Sequence, residues 1–140
     1  MMEEIEGLFR QHEQYAHMSV MDVYHHLLVP NMLGRLVHYN TPEGPVMFTW
    51  TRPTMGQSIE KLMSGRADAD LWADHHPDTD RTPWIVDVAG GPGVSGHEIG
   101  KFLRWVCVDE GIARDGQRVL FHRSSGIKTG RIGFFTARGL

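Results

Sequence analysis

The sequence predicts an α/β (α+β) fold: one mixed, mainly antiparallel sheet flanked by helices, within a single domain spanning residues 1–140. Three observations lead there. Helical and strand-like periodicities alternate along the chain rather than segregating into separate halves. Two β-rich runs are joined by a short Pro/Gly turn and read as a hairpin, whereas the later strands are separated by a helix. No repeat, low-complexity tract or interdomain linker interrupts the order. A chain of this length buries about two-thirds of the surface its unfolded form exposes, enough for a core without metals or disulfides.

Residues 3–14 read as a short amphipathic helix with Ile5, Leu8 and Phe9 on one side. Ser19-Val-Met-Asp22 has the capping-box form, in which a hydroxyl and a carboxylate satisfy free amides of the first turn. The helix it starts carries Val23, Tyr24, Leu27 and Leu28 and is expected to reach Pro30, which cannot continue it without a kink. Leu36 to Tyr39 is a strand, Thr41-Pro-Glu-Gly44 a turn, and Pro45 to Thr51 the partner strand. Ile59, Leu62 and Met63 have helical spacing within 54–63. Residues 65–83, with five aspartates, two histidines and two prolines around Leu71-Trp72, read as a solvated loop pinned by that apolar pair. Trp84 to Val88 is a strand, Ser95 to Val108 a helix, Arg118 to His122 a strand, and Arg131 to Phe135 the last.

The net charge of −3 is unevenly spread. Residues 1–100 carry 6 Lys/Arg against 14 Asp/Glu, whereas residues 101–140 carry 8 against 3. The last third is therefore a basic surface, with Lys101, Arg104, Arg118, Arg123, Lys128 and Arg131 as the face for an acidic partner or a phosphate. Few aromatics interleave with these arginines and the whole domain is acidic, which argues against nucleic acid. The lone cysteine, Cys107, sits in an apolar run and is expected to be a buried thiol in a reducing compartment. Met-Met-Glu-Glu lacks the basic flank and apolar stretch of a secretion signal, and no apolar run approaches the ~20 residues of a membrane span; a cytoplasmic protein is expected.

Chemistry concentrates in "RTPWIVDVAGGPGVSGHEIGKFLRW", residues 81–105. Alternation puts Ile85 and Asp87 on one face of the strand and Trp84, Val86 and Val88 on the other, so Asp87 points to an otherwise apolar face. Burying a carboxylate alone costs several kcal/mol, so Asp87 needs a partner or must cap the glycine turn. Gly91-Pro-Gly93-Val-Ser-Gly96 has the letters G-x-G-x-x-G between a strand and a helix. Only 44 residues follow Gly96, too few for a dinucleotide fold. A coenzyme A loop of the GNAT acetyltransferases would have Gln or Arg where Val88 stands. The helix amides beyond Gly91, Gly93 and Gly96 could still receive a phosphate, or the glycines could simply make a tight turn. Asp74-His75-His76 with Asp78 and Asp80 lacks the spacing of a zinc site, so no metal is expected. His25 and His26 cannot share a helical face; one should be packed and the other solvated.

In their order, Pro45-Val-Met-Phe-Thr-Trp50, Ile59-Glu-Lys-Leu62, Trp84-Ile-Val-Asp87-Val-Ala89 and Gly100-Lys-Phe-Leu-Arg104 resemble the RTX toxin-activating lysine acyltransferases, the family of the haemolysin-activating protein type. The match in order and approximate spacing runs from about residue 15 to residue 135. The resemblance implies a GNAT-like sheet and transfer of a fatty acyl group from acyl carrier protein, as donor substrate with no bound cofactor, to lysines of an acceptor protein. It implies a catalytic pair of His17 and Asp87; the glycine turn at Gly91, Gly93 and Gly96 and the basic Lys101 and Arg104, read from loop shape and charge, are the expected receivers of the donor. His17 lies just before a helix cap, a loop position suited to reaching a site. The Arg and Trp that follow the family's histidine are absent; Met18 and Ser19 follow His17 instead. That departure keeps a second reading open: a non-catalytic GNAT-like interaction or structural protein, such as a component of a tailed-phage particle or its ejection machinery. A homodimer or larger assembly fits either reading, given the apolar area of Trp50, Trp84 and Trp105.

Overall fold

The computed structural model describes residues 2–12, 15–123 and 130–140. Its centre is a five-stranded sheet in the order β1 (Leu36–Thr41), β2 (Gly44–Thr51), β3 (Trp84–Gly90), β4 (Arg118–His122) and β5 (Ile132–Thr136). All neighbours are antiparallel except β3 and β4, which run parallel. This is the expected mixed, mainly antiparallel α+β arrangement, consistent with a GNAT-like fold.

β2 alternates without interruption. Val46, Phe48 and Trp50 face α6 (Gly96–Asp109), whose Phe102, Leu103, Val106 and Cys107 complete the main core. Met47 faces the other way, against Ile5, Leu8 and Phe9 of α1 (Met2–Arg10) and Leu27. Each of the fully enclosed side chains among these contributes about 1.5–3 kcal/mol through burial.

β3 does not keep that alternation. Thr49 is registered with Asp87 but Trp50 with Ile85, so Val86 is an extra residue, a β-bulge. Ile85 therefore joins the α6 core with Phe48 and Trp50, while Asp87 faces the α1 side with Ala89 and Met47. The strict period of two, which placed Ile85 and Asp87 on one face, fails at this point.

The second helix begins as expected. Asp22 N–H donates to Ser19 Oγ, and Ser19 N–H donates to the Asp22 carboxylate. It does not stop at Pro30. α2 (Val20–Val23) passes into a π-helical turn at Tyr24–Leu28 and then into α3 (Val29–Met32). Pro30 cannot donate to the carbonyl of His26, four residues back, and Val29 N–H instead reaches Tyr24 O. The helix absorbs the proline by widening one turn.

The aspartate-rich stretch is also more ordered than a loop. After α4 (Gly56–Met63), Asp68 caps α5 (Ala69–Ala73) through Leu71 N–H, and Leu71 and Trp72 are wholly buried. Asp74 accepts from Thr54 N–H, Met55 N–H, and the hydroxyls of Thr54 and Ser58. Burial opposes ionisation there, but these donors outweigh it and hold the carboxyl at about 2. Arg52, buried, reaches Gly111 O, Ile112 O and His76 O and stacks on Trp50, fastening this segment to the end of α6.

The turn from β3 to α6 packs against the β1–β2 hairpin. Gly91 N–H donates to Pro45 O at 2.8 Å, and a Cβ on Gly91 would meet the Pro45 ring at 2.8 Å. A Cβ on Gly96 meets nothing. We predict that Gly91→Ala lowers stability in urea by about 1–3 kcal/mol through overpacking. Gly96→Ala should be neutral or raise it by up to about 1 kcal/mol.

Candidate functional site

β3 and β4 are registered only at Trp84↔Leu120 and Ile85↔Phe121. Beyond the Val86 bulge the strands part, and a cleft of about 580 Å³ opens between them. Its walls are mainly apolar: Val86 and Val88 from β3, Phe121 and Phe134 from β4 and β5, and Ile99 and Leu103 from α6. Asp87 is the acid in this wall.

Its partner is His26. Nδ1 of His26 and Oδ2 of Asp87 are 2.7 Å apart, and both side chains are 6% exposed, so water does not compete for the contact. Asp87 N–H donates to the buried Thr49 hydroxyl, which fixes the strand beneath the carboxylate. The Phe9 ring lies 6.3 Å from the imidazole. The π turn sets the helical position of His26, and Trp72 Nε1–H secures that turn by donating to His25 O at 2.6 Å.

With Nδ1–H donating to the carboxylate, the neutral ring carries its lone pair on Nε2, which has no hydrogen-bond partner among the described residues. Burial lowers the His26 pKa, but the hydrogen bond and charge of Asp87, helped by Asp22, outweigh it and hold the group above 6.5. This is the electrostatic arrangement of an acid–imidazole pair that can take a proton and keep it while a reaction proceeds.

His26 also lines a second cavity, of about 470 Å³, together with His17, Asp22, Arg66 and Asp68. This one is polar. Met18 and Gly65 line both cavities, so the His26–Asp87 pair stands in the partition between an apolar cleft and a polar one. The residues 15–18 that supply Met18 are held by Arg10, whose guanidinium donates to the carbonyls of Ala16 and Met18.

The other expected site residues are distributed around this centre. His17 is exposed and lines the polar cavity; the imidazole on the Asp87 carboxylate belongs to His26 instead. Of the adjacent histidines, His26 is the packed one, while His25 is half-buried rather than solvated, its Nδ1 enclosed and without a hydrogen-bond partner among the described residues. Gly96 and Arg104 line the apolar cleft. Gly91 spends its amide on Pro45, and Gly93 lies close to Glu43 O, so these two serve the contact with the hairpin. Lys101 faces a different hollow, beside Tyr39, Glu98 and Trp105. Arg118 lies over the Phe134 ring and Arg123 over Phe121, which places two more cations beside rings of the cleft. Lys128 lies outside the described residues.

One signal in the sequence does point to His26. It follows Val23 by three residues and precedes Pro30 by four, on the same stripe as Leu27, and all four are buried. A histidine on a buried helical stripe needs a polar partner, and the central strand has a single acid.

The raised His26 pKa has a consequence for stability. The pair's contribution is fully present below pH 6.5 and is lost as pH rises through the higher folded value. We predict a urea midpoint that falls as pH increases through that window. In Asp87→Asn only the charge of Asp22 still opposes burial, so the slope should flatten or reverse. Equal slopes in the two proteins would contradict the assignment of Asp87 as the partner.

No known protein-family model and no curated protein sequence matches the chain, so the chemistry of the site rests on its own geometry.

Proposed function

We propose that the protein is a lysine acyltransferase, with His26 as the base, Asp87 as the carboxylate that orients it, and an acyl thioester on acyl carrier protein as donor. The observation that carries this reading is the buried 2.7 Å pair standing between an apolar and a polar cavity. The two substrates of such a reaction differ in the same sense: a fatty acyl chain and a cationic amine.

The acyl chain occupies the cleft between β3 and β4. Arg104, Arg118 and Arg123 provide cations near it for an acidic carrier. The amine enters by the polar cavity, where the Asp22 and Asp68 carboxylates favour its ammonium form on arrival. An ammonium with pKa near 10.4 is not a nucleophile, so the proton must go to a base; Nε2 of His26 is available for it. The Asp87 carboxylate then stabilises the imidazolium. His17, in the same polar cavity, contacts the acceptor.

A second reading, a non-catalytic interaction or particle protein, is favoured by the exposed apolar side chains of Val20, Met21, Met32 and Leu33 on one helical segment. Co-fractionation of the whole population with a large particle would support it.

Incubation with acyl-loaded carrier protein and lysine peptides, read by mass spectrometry, tests the first reading. Asp87→Asn and His26→Gln should each lower kcat by about 10²–10⁴-fold, whereas His17→Ala should change the KM for the acceptor more than kcat. The wild-type rate should rise with pH through a pKa above 6.5, and this limb should move to lower pH in Asp87→Asn. Absence of acyl transfer by the folded wild-type protein would reject the proposal.

A further inference from the structure

Opposite Asp87 stands an imidazole that the acid–base pair does not use. His122 ends β4, one residue past Phe121, the last β4 residue registered with β3. It is registered with Ile132 of β5 and shares a sheet face with Leu120, which packs beside Trp84 on the side away from α6. Because the Val86 bulge turns Asp87 to that same side, the two groups face one cleft from diverging strands. The His122 side chain is half-buried and makes no hydrogen bond or ion pair with any described residue.

The other polar side chains of the cleft are committed or peripheral. The Ser64 hydroxyl donates to Glu60 O, Tyr15 is stacked on Phe9, Asp87 holds His26, and Arg104 is exposed. A thioester carbonyl brought to the Asp87–His26 end of this apolar cleft therefore has His122, on the strand across, as an uncommitted side-chain N–H donor. Resting on the acyl-transfer reading, we infer that His122 is a further catalytic residue: its ring N–H hydrogen-bonds the thioester carbonyl oxygen and stabilises the oxyanion formed when the amine attacks.

The step balances without another reactant. The amine nitrogen bonds to the carbonyl carbon, and the C=O π pair moves to the oxygen held by His122. That pair returns as the C–S bond breaks, and the sulfur leaves with the bonding electrons. The ammonium first gives its proton through Nε2 of His26 to the solvent of the polar cavity; the proton lost from nitrogen as the amide forms then passes to the freed Nε2 and from there to the sulfur, yielding an amide and a thiol. His122 keeps its own proton throughout.

The test compares wild type, His122→Ala and His122→Gln with an acyl-loaded carrier protein and a lysine peptide, each protein first checked for a cooperative thermal transition. His122→Ala should lower kcat by about 10²–10³-fold, the usual effect of losing an oxyanion donor, with KM for the donor nearly unchanged. His122→Gln retains an N–H donor and should recover at least about tenfold of that loss. A folded His122→Ala protein with kcat within about threefold of an active wild type would overturn the inference and leave the His26–Asp87 reading standing. A wild type that transfers no acyl group would overturn both.

Discussion

A carboxylate in the interior of a sheet is the constraint around which this molecule is arranged. Asp87 cannot sit ionised among Met47, Ala89 and Leu27 without a hydrogen-bonded partner, because an uncompensated buried charge costs several kcal/mol. His26 meets that requirement from a different part of the chain, sixty-one residues away. The elements that deliver it are arranged accordingly: a capped helical start at Ser19, a widened turn ahead of Pro30, and an indole that fastens that turn from α5. Replacing the pair by apolar residues could leave the fold as stable or more so, since buried ion pairs contribute little net stability. Net stability alone therefore does not account for its presence.

The one-residue insertion at Val86 does two things at once. It rotates Asp87 away from the α6 core, and it marks the point beyond which β3 and β4 are no longer registered. A carboxylate and an empty space beside it arise from the same irregularity. Bulges concentrate where a side chain has to be re-aimed, and this one directs the acid toward helix-borne imidazole rather than into hydrocarbon.

Much of the fold was legible because it follows from period and turn chemistry. The hairpin around Pro42 and Gly44, the Ser19 capping box and the long helix after Ser95 each depend on neighbours within a few residues. The need of Asp87 for a partner was legible for a related reason, as a lone acid in an apolar strand. The identity of its partner was not. Strand alternation carries no information about a bulge, and helix periodicity carries none about a π turn, so the faces of Asp87 and His26 were both set by irregularities. Resemblance to toxin-activating acyltransferases implies His17, which lies on the neighbouring cavity rather than on the carboxylate. The short helix at Ala69–Ala73 has five residues, too few for a periodic signal, although Asp68 is a good cap.

The partition formed by Met18 and Gly65 bears on the order of events in the proposed chemistry. In that proposal each substrate has its own vestibule, and neither has to leave before the other arrives. A ternary complex with intersecting double-reciprocal plots follows from that layout, in place of a ping-pong cycle in which one doorway serves both reactants in turn.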